Sequence, residues 1–180
     1  MHVLPHSVTI SLQPASRGSQ SLAPLFIMPF PTREEAYNIF KLFESPPEGS
    51  QRFFQEYVSP NLEFHAIGPP GSSYAAVYHS KAEFLAGGFG KLGKAVQAPG
   101  LKFVIPNGIE GVVVDEKRGF TAVRFDATNS ITHSGVPYQQ HYSWHVRFGE
   151  DGLVSHIWAY LDHGYLDQVL GSELRRMGIA

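Results

Sequence analysis

The sequence contains no cysteine among its 180 residues. This absence excludes disulfide bonds, thiolate nucleophiles and cysteine-ligated zinc or iron–sulfur clusters. Charge is also scarce: Asp, Glu, Lys and Arg make up 17% of the chain, and 14 basic residues stand against 16 acidic ones. Because a net charge of -2 provides no basic surface to collect phosphates, nucleic-acid binding is not expected.

Long apolar runs are missing as well. The apolar stretch near the start, residues 25–30, is far shorter than the ~20 residues that cross a membrane. Residues 1–5 hold no Lys or Arg, whereas a secretory signal peptide begins with positive charge. These features predict a soluble, cytoplasmic protein with no membrane partner.

Aromatic side chains are plentiful, at 13% of the residues. They comprise 13 Phe, 8 Tyr and 2 Trp, within a hydrophobic content of 43% that is ordinary for a globular protein. A single domain of this length buries roughly 70% of the surface of its unfolded chain. The composition therefore predicts a large apolar core or a cavity lined by aromatic rings.

The start of the chain differs in composition from the rest. Residues 1–30 are rich in Ser and Pro and have no helical period, so we predict an N-terminal extension with a short strand at residues 7–12. Residues 31–180 are predicted to form one domain. Within it, Thr32 and Ser80 each stand three residues before a Glu, which is the capping-box signature of a helix start.

The second half of the chain has the pattern of strands. Extended segments are predicted at residues 101–105, 109–114, 120–128, 138–148 and 153–161, with a hairpin loop at residues 149–152. Before them the pattern gives helix, helix, strand and helix, and Asp162 is expected to cap one more helix after them. This order predicts an α+β domain in which one curved antiparallel sheet packs on helices.

Three segments, at residues 60–68, 80–85 and 146–162, resemble the SnoaL-like branch of the nuclear transport factor 2-like superfamily. The resemblance covers about residues 32–170. It implies a cone-shaped α+β fold with a deep apolar pocket, often dimeric. Members of the superfamily include ketosteroid isomerase, scytalone dehydratase, limonene-epoxide hydrolase and polyketide cyclases. Some members only bind ligands, so function must be argued from the site.

The last hairpin indicates which side chains face such a pocket. If the four-residue loop pairs Phe148 with Leu153, then Tyr142 lies opposite Ala159, and His145 lies opposite His156. Side chains alternate across a sheet. One face is predicted to line the pocket, with Phe64 from the first strand: Gln140, Tyr142, Trp144, Val146, Ile157, Ala159 and Leu161. The other face is predicted to be available for a partner: His141, Ser143, His145, His156, Trp158 and Tyr160.

Two single residues are candidates for proton chemistry. His65 stands where the resemblance implies the general-base Asp of ketosteroid isomerases. An unperturbed histidine pKa of ~6.5 suits proton transfer at neutral pH. The alternative is a core histidine bonded to the backbone. Tyr142 is predicted to donate a hydrogen bond to a developing oxyanion, and its alternative is a place in the aromatic core.

Arg124 and Asp126 share a sheet face because they are two residues apart on one strand. A buried pair of this kind must be charge-paired or neutralised. The pair resembles the Arg-x-Asp of limonene-epoxide hydrolases, which implies a polarising Arg beside an acid/base Asp. The alternative is an ion pair that braces the sheet. Those hydrolases need a second acid where this sequence has Ala159, so epoxide hydrolysis is the least favoured reaction.

Together these features predict an isomerase, cyclase or dehydratase that acts by acid–base catalysis on a hydrophobic polyketide- or terpenoid-like intermediate. His65 moves the proton, and Arg124 with Asp126 polarises an oxygen to which Tyr142 donates. Gln140 and Trp144 orient the substrate, and Phe64, Ile157 and Leu161 enclose it. The four catalytic candidates are expected to project into one cavity.

No metal or organic cofactor is expected. The face that carries His145 and His156 is predicted to gain only Thr121, Val123 and Phe125 from the neighbouring strand, and none of these is a third zinc ligand of the usual kind.

A non-catalytic ligand-binding or protein-interaction module is the alternative function. An enzyme needs two convergent ionisable groups, whereas a binding module could have Arg124 and Asp126 locked on each other and His65 turned outward. A homodimer is expected to form through an apolar patch on the convex face of the sheet: Val123, Phe125, Trp158 and Tyr160.

Overall fold

The structure, a computed structural model, describes residues 30–179. The predicted N-terminal extension and its strand at residues 7–12 therefore lie outside the described residues, apart from Phe30. The described chain is a mixed α+β fold in which a curved, unclosed sheet packs against short helices. The predicted fold class is confirmed.

The helices are short, and several change pitch along their length. The α-helices are α1 Arg33–Phe40, α2 Glu48–Arg52, α3 Lys81–Glu83, α4 Gly90–Gly93, α5 His163–Leu166 and α6 Ser172–Arg176. Tighter 3₁₀ turns lie at Lys41–Glu44 and Gly108–Gly111, and wider π-helical turns at Phe53–Tyr57, Phe84–Phe89 and Asp167–Gly171. The strands are β1 Val58–Ile67, β2 Ala76–Tyr78, β3 Phe103–Val104, β4 Val112–Asp115, β5 Phe120–Ile131, β6 Pro137–Phe148 and β7 Val154–Leu161.

The predicted helix starts are confirmed. The hydroxyl of Thr32 accepts from the N–H of Glu35, whose carboxylate accepts in return from the N–H of Thr32 at 2.8 Å. Ser80 accepts from the third amide of α3 at 3.1 Å. Asp162 accepts from the N–H of Tyr165 at 3.0 Å and begins α5. Each cap satisfies an amide that the first helical turn leaves without a backbone partner.

The seven strands form one sheet in the order β2-β1-β7-β6-β5-β3, and β4 also pairs with β5. Neighbouring strands are antiparallel except β1 and β7, which pair in parallel. β5 bends at Asn129, whose φ is 55°, where its pairing with β6 slips between Ala127 and Ser130. Such a bulge curves the strand, so one face of the sheet wraps around the interior.

The last hairpin has a register two residues from the predicted one. Trp144 pairs with Ala159, and Tyr142 pairs with Leu161. The N–H of Gly149 donates to the carbonyl of Leu153 at 2.8 Å, and an irregularity at the hairpin end leaves Phe148 opposite Val154. Because a slip of two residues preserves side-chain parity, the predicted interior and exterior faces are unchanged.

The predicted sides of β5 are wrong. Val123 and Phe125, expected on the convex face, are each 1% exposed and lie on the inner face with Thr121. They pair across the ladder with Trp144 and Tyr142, and directly paired residues point to the same side. The slip in the hairpin also places His145 opposite Trp158 rather than His156.

Aromatic rings fill the space between the inner face and the helices. Phe43 is fully buried, and its ring centroid lies 5.5 Å from that of Trp144 and 5.7 Å from that of Phe125. Both contacts are edge-to-face, a geometry that adds about 0.5–1.5 kcal/mol per pair beyond area burial. The ring of Phe43 therefore packs β5 and β6 against the helices, and β6 contributes residues to the candidate site described below.

Candidate functional site

A cavity lies between the inner face of the sheet and the helical segment at residues 81–93. Its empty space is about 740 Å³, a figure that includes solvent at the mouth, and about 100 Å³ of it can hold the centre of a water-sized sphere. Its walls are mostly apolar and aromatic: Phe64, Ala66, Ser73, Tyr74, Tyr78, Phe84, Gly87, Gly88, Phe89, Lys91, Leu92, Leu101, Phe103, Tyr142, Trp144, Ala159, Leu161 and Leu166. Concave apolar pockets with few polar groups are the usual form of small-molecule sites.

The sheet wall of the cavity comes from alternate residues of three adjacent strands. β1 contributes Phe64, β6 contributes Tyr142 and Trp144, and β7 contributes Ala159 and Leu161. This alternation is the predicted one, and the side chains between these residues point to the other face.

Glycines in the helical wall leave room for two neighbouring aromatic rings. A Cβ added to Gly88 would lie 2.8 Å from the ring of Phe84, and one added to Gly87 would lie 3.1 Å from the ring of Tyr78. Both glycines lie in the π-helical turn Phe84–Phe89. Widened helical turns of this type are frequent at functional sites.

One buried cluster of polar side chains stands beside the cavity on β6. The hydroxyls of Tyr138 and Tyr142 lie 2.5 Å apart. The side-chain amide N–H of Gln140 donates to the hydroxyl of Tyr138, and it lies 3.5 Å from that of Tyr142. The carbonyl of the same amide accepts from the backbone N–H of Asp162 at 2.8 Å.

These contacts give the hydrogen bonds a direction. Because the carbonyl of Gln140 is occupied by Asp162, its NH₂ group faces the tyrosines and can only donate. Tyr138 is fully buried and its oxygen already accepts from Gln140, so we assign its O–H as the donor to Tyr142. With this assignment the proton of Tyr142 is not used within the cluster and is free for an acceptor in the cavity that its side chain lines.

Burial keeps both phenols neutral. It raises the pKa of Tyr142 to about 12, although the hydrogen bonds from Tyr138 and Gln140 act in the opposite direction. Burial also raises the pKa of Tyr138 far above its ordinary value. Near neutral pH Tyr142 is therefore a hydrogen-bond donor and not a phenolate base.

Three of the five predicted substrate-binding residues, Phe64, Trp144 and Leu161, line the cavity, as does the catalytic candidate Tyr142. The prediction is wrong for the other two: Gln140 is 6% exposed and bonds to the tyrosines beside the cavity, and Ile157 is fully buried in the core.

His65, Arg124 and Asp126 lie on the outer face, so the prediction that four catalytic candidates share one cavity is wrong. His65 Nε2 is 3.4 Å from the carboxylate of Glu63. Asp126 Oδ1 lies 2.6 Å from His141 Nδ1 and 3.2 Å from the guanidinium of Arg124. The reason is parity, because Arg124 pairs with Ser143 and Asp126 with His141, the neighbours that alternate with Tyr142.

Arg124 also fails to form the buried brace that was the alternative. Its side chain is 54% exposed, and ion pairs at such positions contribute only about 0–1 kcal/mol.

Among residues 30–179, no group of three or more His, Asp or Glu side chains has the geometry of a metal site. No helix within the same range is long and apolar enough to span a bilayer.

Sequence reasoning missed Tyr74, Tyr78, Lys91 and Tyr138. Tyr138 could have been found, because it is four residues before Tyr142 on one strand and therefore on the same face. Lys91 follows a run of glycines in a helix whose pitch changes, and no periodicity indicated which way it points.

The fold is shared with solved structures. PrhC from Penicillium brasilianum superposes with a TM-score of 0.63 at 21% identity, over 83% of this chain and 94% of that chain. BvnE pinacolase from Penicillium brevicompactum gives 0.57 at 13% identity, over 84% and 96%. An NTF2-like protein of unknown function from Burkholderia pseudomallei gives 0.56 at 10%, over 78% and 98%.

No protein-family model matches the sequence, and no curated protein matches it by sequence. The structural similarity alone shows that the chain has the nuclear transport factor 2-like fold that the resemblance implied.

Proposed function

We propose that this chain is an isomerase, cyclase or dehydratase of the SnoaL-like branch, acting on a hydrophobic secondary-metabolite intermediate without metal or organic cofactor. The observation that carries the proposal is the hydrogen-bonded hydroxyl of Tyr142, which the assignment above leaves free to donate, on a side chain that lines an apolar cavity. The structural likeness to BvnE, a protein named as a pinacolase, supports a reaction on a small molecule.

The chemistry that Tyr142 offers is stabilisation of charge on a substrate oxygen. A carbonyl that gains negative charge during enolisation, or a hydroxyl that leaves during dehydration, is stabilised by a donor already aimed at it. Such a donor acts most strongly where water is excluded, and the lining around Tyr142 is mostly apolar. Loss of one oxyanion donor typically lowers turnover by about 10²–10³-fold.

The cavity does not support epoxide hydrolysis. Its described lining contains no Asp or Glu, Asp126 is on the outer face, and Ala159 occupies the position where a second acid was needed. A carboxylate that activates water is therefore missing from the described walls.

A non-catalytic ligand-binding module is the second candidate function. The placement of His65 toward Glu63, and of Arg124 and Asp126 against each other, is the arrangement expected of such a module. The ionisable side chains in the cavity lining are therefore not those three but Tyr74, Tyr78, Lys91 and Tyr142.

Comparison of metabolites between a producing strain and its deletion strain separates the two candidates. For an enzyme, deletion causes an intermediate to accumulate and its product to disappear. Reintroducing the wild-type chain or Tyr160→Phe restores the product, because Tyr160 is 44% exposed on the outer face. Tyr142→Phe leaves the intermediate in place. Full restoration by Tyr142→Phe would contradict the catalytic proposal.

We propose a homodimer formed through the outer face of the sheet. One continuous row of side chains crosses six strands on this face, in the order Val77, His65, Trp158, His145, Ala122 and Val113. Val77 is 48% exposed and Val113 is 66% exposed, so apolar surface lies at both ends of the row. A second copy of the same row would cover it.

Light scattering at micromolar concentration tests the dimer. The wild-type chain is expected to show twice the monomer mass, and Trp158→Glu to show the monomer mass, because a charge at the centre of the row would be buried without a partner. Ile109→Glu is the control, since Ile109 is 37% exposed and outside the row. A monomeric wild-type chain would contradict the proposal.

A cytoplasmic location is likewise proposed. Imaging of a fluorescent fusion in the producing organism tests it.

A further inference from the structure

The cavity lining is almost without charge. Among its described lining residues only Lys91 is charged, and the others are apolar, glycine, serine or tyrosine. A cation beside an apolar cavity attracts an anion more strongly than it would in open water, because the surrounding dielectric is lower.

Lys91 pairs with no carboxylate in the described part of the chain. None of the ion pairs between described residues uses it. Lys81, in the same helical segment, is different: its ammonium donates to the carbonyls of Phe54 and Val58 at 2.9 Å each and so ties α3 to β1. The structure thus gives Lys81 a packing role and leaves Lys91 beside the cavity.

The two polar features of the lining stand at different depths. Tyr142 is 8% exposed and marks the inner wall, next to the buried Trp144. Lys91 is half-buried, and Ser73 and Gly87, which line the cavity with it, are exposed, so these three residues mark the mouth. A ligand that fills the cavity would meet a neutral donor at one end and a cation at the other.

We propose that the ligand of this cavity is a hydrophobic carboxylate, whose anionic group pairs with Lys91 at the mouth while a neutral oxygen accepts from Tyr142 inside. The inference rests on the proposed small-molecule function and adds the chemical class of the ligand. A single lysine, with no arginine beside it in the described lining, matches one negative charge rather than the two or more of a phosphate or diphosphate.

Fluorescence titration with two matched probes tests the proposal. Trp144 lines the cavity, and Trp158→Phe removes the other tryptophan, so all measurements use that background. Decanoate and decan-1-ol have the same chain length and differ in charge at about pH 8, where a carboxylic acid is ionised. Decanoate is expected to bind about tenfold more tightly, the effect of one charge-assisted hydrogen bond of modest strength.

The variant Lys91→Met keeps the apolar stem and removes the charge. It is expected to weaken decanoate binding by about tenfold and to leave decan-1-ol within about twofold. Lys94→Met is the control, because Lys94 is exposed and outside the lining. Equal binding of the two probes, or an unchanged decanoate affinity in Lys91→Met, would overturn the carboxylate inference alone. Failure of both probes to bind would overturn the cavity as a ligand site and the proposed function with it.

Discussion

At the scale of single residues, two threonines on β5 and the loop after it show how much a hydrogen-bond partner matters. Thr121 and Thr132 are both fully buried. The hydroxyl of Thr132 lies 3.0 Å from that of Ser134 and accepts from the N–H of Val136 at 3.0 Å. The hydroxyl of Thr121 has no hydrogen-bond partner among residues 30–179. The same substitution should therefore have opposite effects at the two sites.

Thr121→Val is expected to leave the free energy of unfolding unchanged or to raise it by up to about 1 kcal/mol, because it removes a desolvated hydroxyl without changing shape. Thr132→Val is expected to lower it by about 1–3 kcal/mol, because it leaves the N–H of Val136 without its acceptor. Urea denaturation measures both. A loss at Thr121 as large as that at Thr132 would show that the Thr121 hydroxyl is bonded.

The sequence predicted residue positions best where the interacting residues are close together in the chain. The caps at Thr32, Ser80 and Asp162 were predicted correctly because the donor and acceptor lie within three residues of each other. The sides of β5 were predicted wrongly because the Arg-x-Asp resemblance outweighed the strand's own pattern. Alternation alone puts Val123 and Phe125 on the apolar side and Arg124 on the polar one.

At the scale of elements, the helical wall of the cavity depends on Gly88. Alanine at this position would place a methyl group 2.8 Å from the ring of Phe84. Gly93, at the end of α4, has no atom within 4 Å of the equivalent position. Alanine is otherwise the better helix former, by up to about 1 kcal/mol per residue.

Gly88→Ala is therefore expected to lower the free energy of unfolding by about 1–3 kcal/mol through overpacking. Gly93→Ala is expected to leave it unchanged or to raise it by up to about 1 kcal/mol. Thermal unfolding followed by circular dichroism measures both changes. Equal stabilisation by the two variants would contradict the close contact between Gly88 and the ring of Phe84 in the same turn.

The last helix is joined to the loop between β5 and β6 by a buried carboxylate. Glu173 is 3% exposed, accepts from the hydroxyl of Ser134 at 2.7 Å and pairs with the guanidinium of Arg176 at 2.5 Å. The hydrogen bonds from Arg176 and then from Ser134 lower the pKa of Glu173 from 4.5 to about 2. The contact is thus strongest when the carboxylate is ionised.

A depressed pKa fixes the direction of the pH dependence. The stabilisation by Glu173 is complete above pH 4.5 and is lost as the pH falls from there toward 2, because the unfolded chain binds the proton first. Glu173→Gln is expected to be less stable than the wild-type chain at neutral pH and to lose less stability over that acid range. Parallel curves for the two chains would contradict an ionised Glu173.

At the scale of the whole molecule, a single sheet separates two surfaces of different chemistry. The inner face and the helices enclose a cavity with Tyr142 at its inner wall, and the outer face carries His65, Trp158 and the pair of Arg124 with Asp126. The sequence predicted the sheet, the cavity and the part of its lining that the sheet provides, because alternation is strict along β6 and over the end of β7. It could not predict the helical wall, whose direction depends on π-helical turns and on close contacts of its glycines with the rings of Tyr78 and Phe84.

The central claim is that Tyr142 donates a hydrogen bond to an oxygen inside this cavity. The carbonyl stretching frequency of bound 2-decanone, measured by infrared difference spectroscopy, reports that bond directly. The account predicts a lower frequency in the wild-type chain and in Tyr160→Phe than in Tyr142→Phe, because only the last variant lacks the donor. The same frequency in all three chains, or no binding of the ketone, would contradict it.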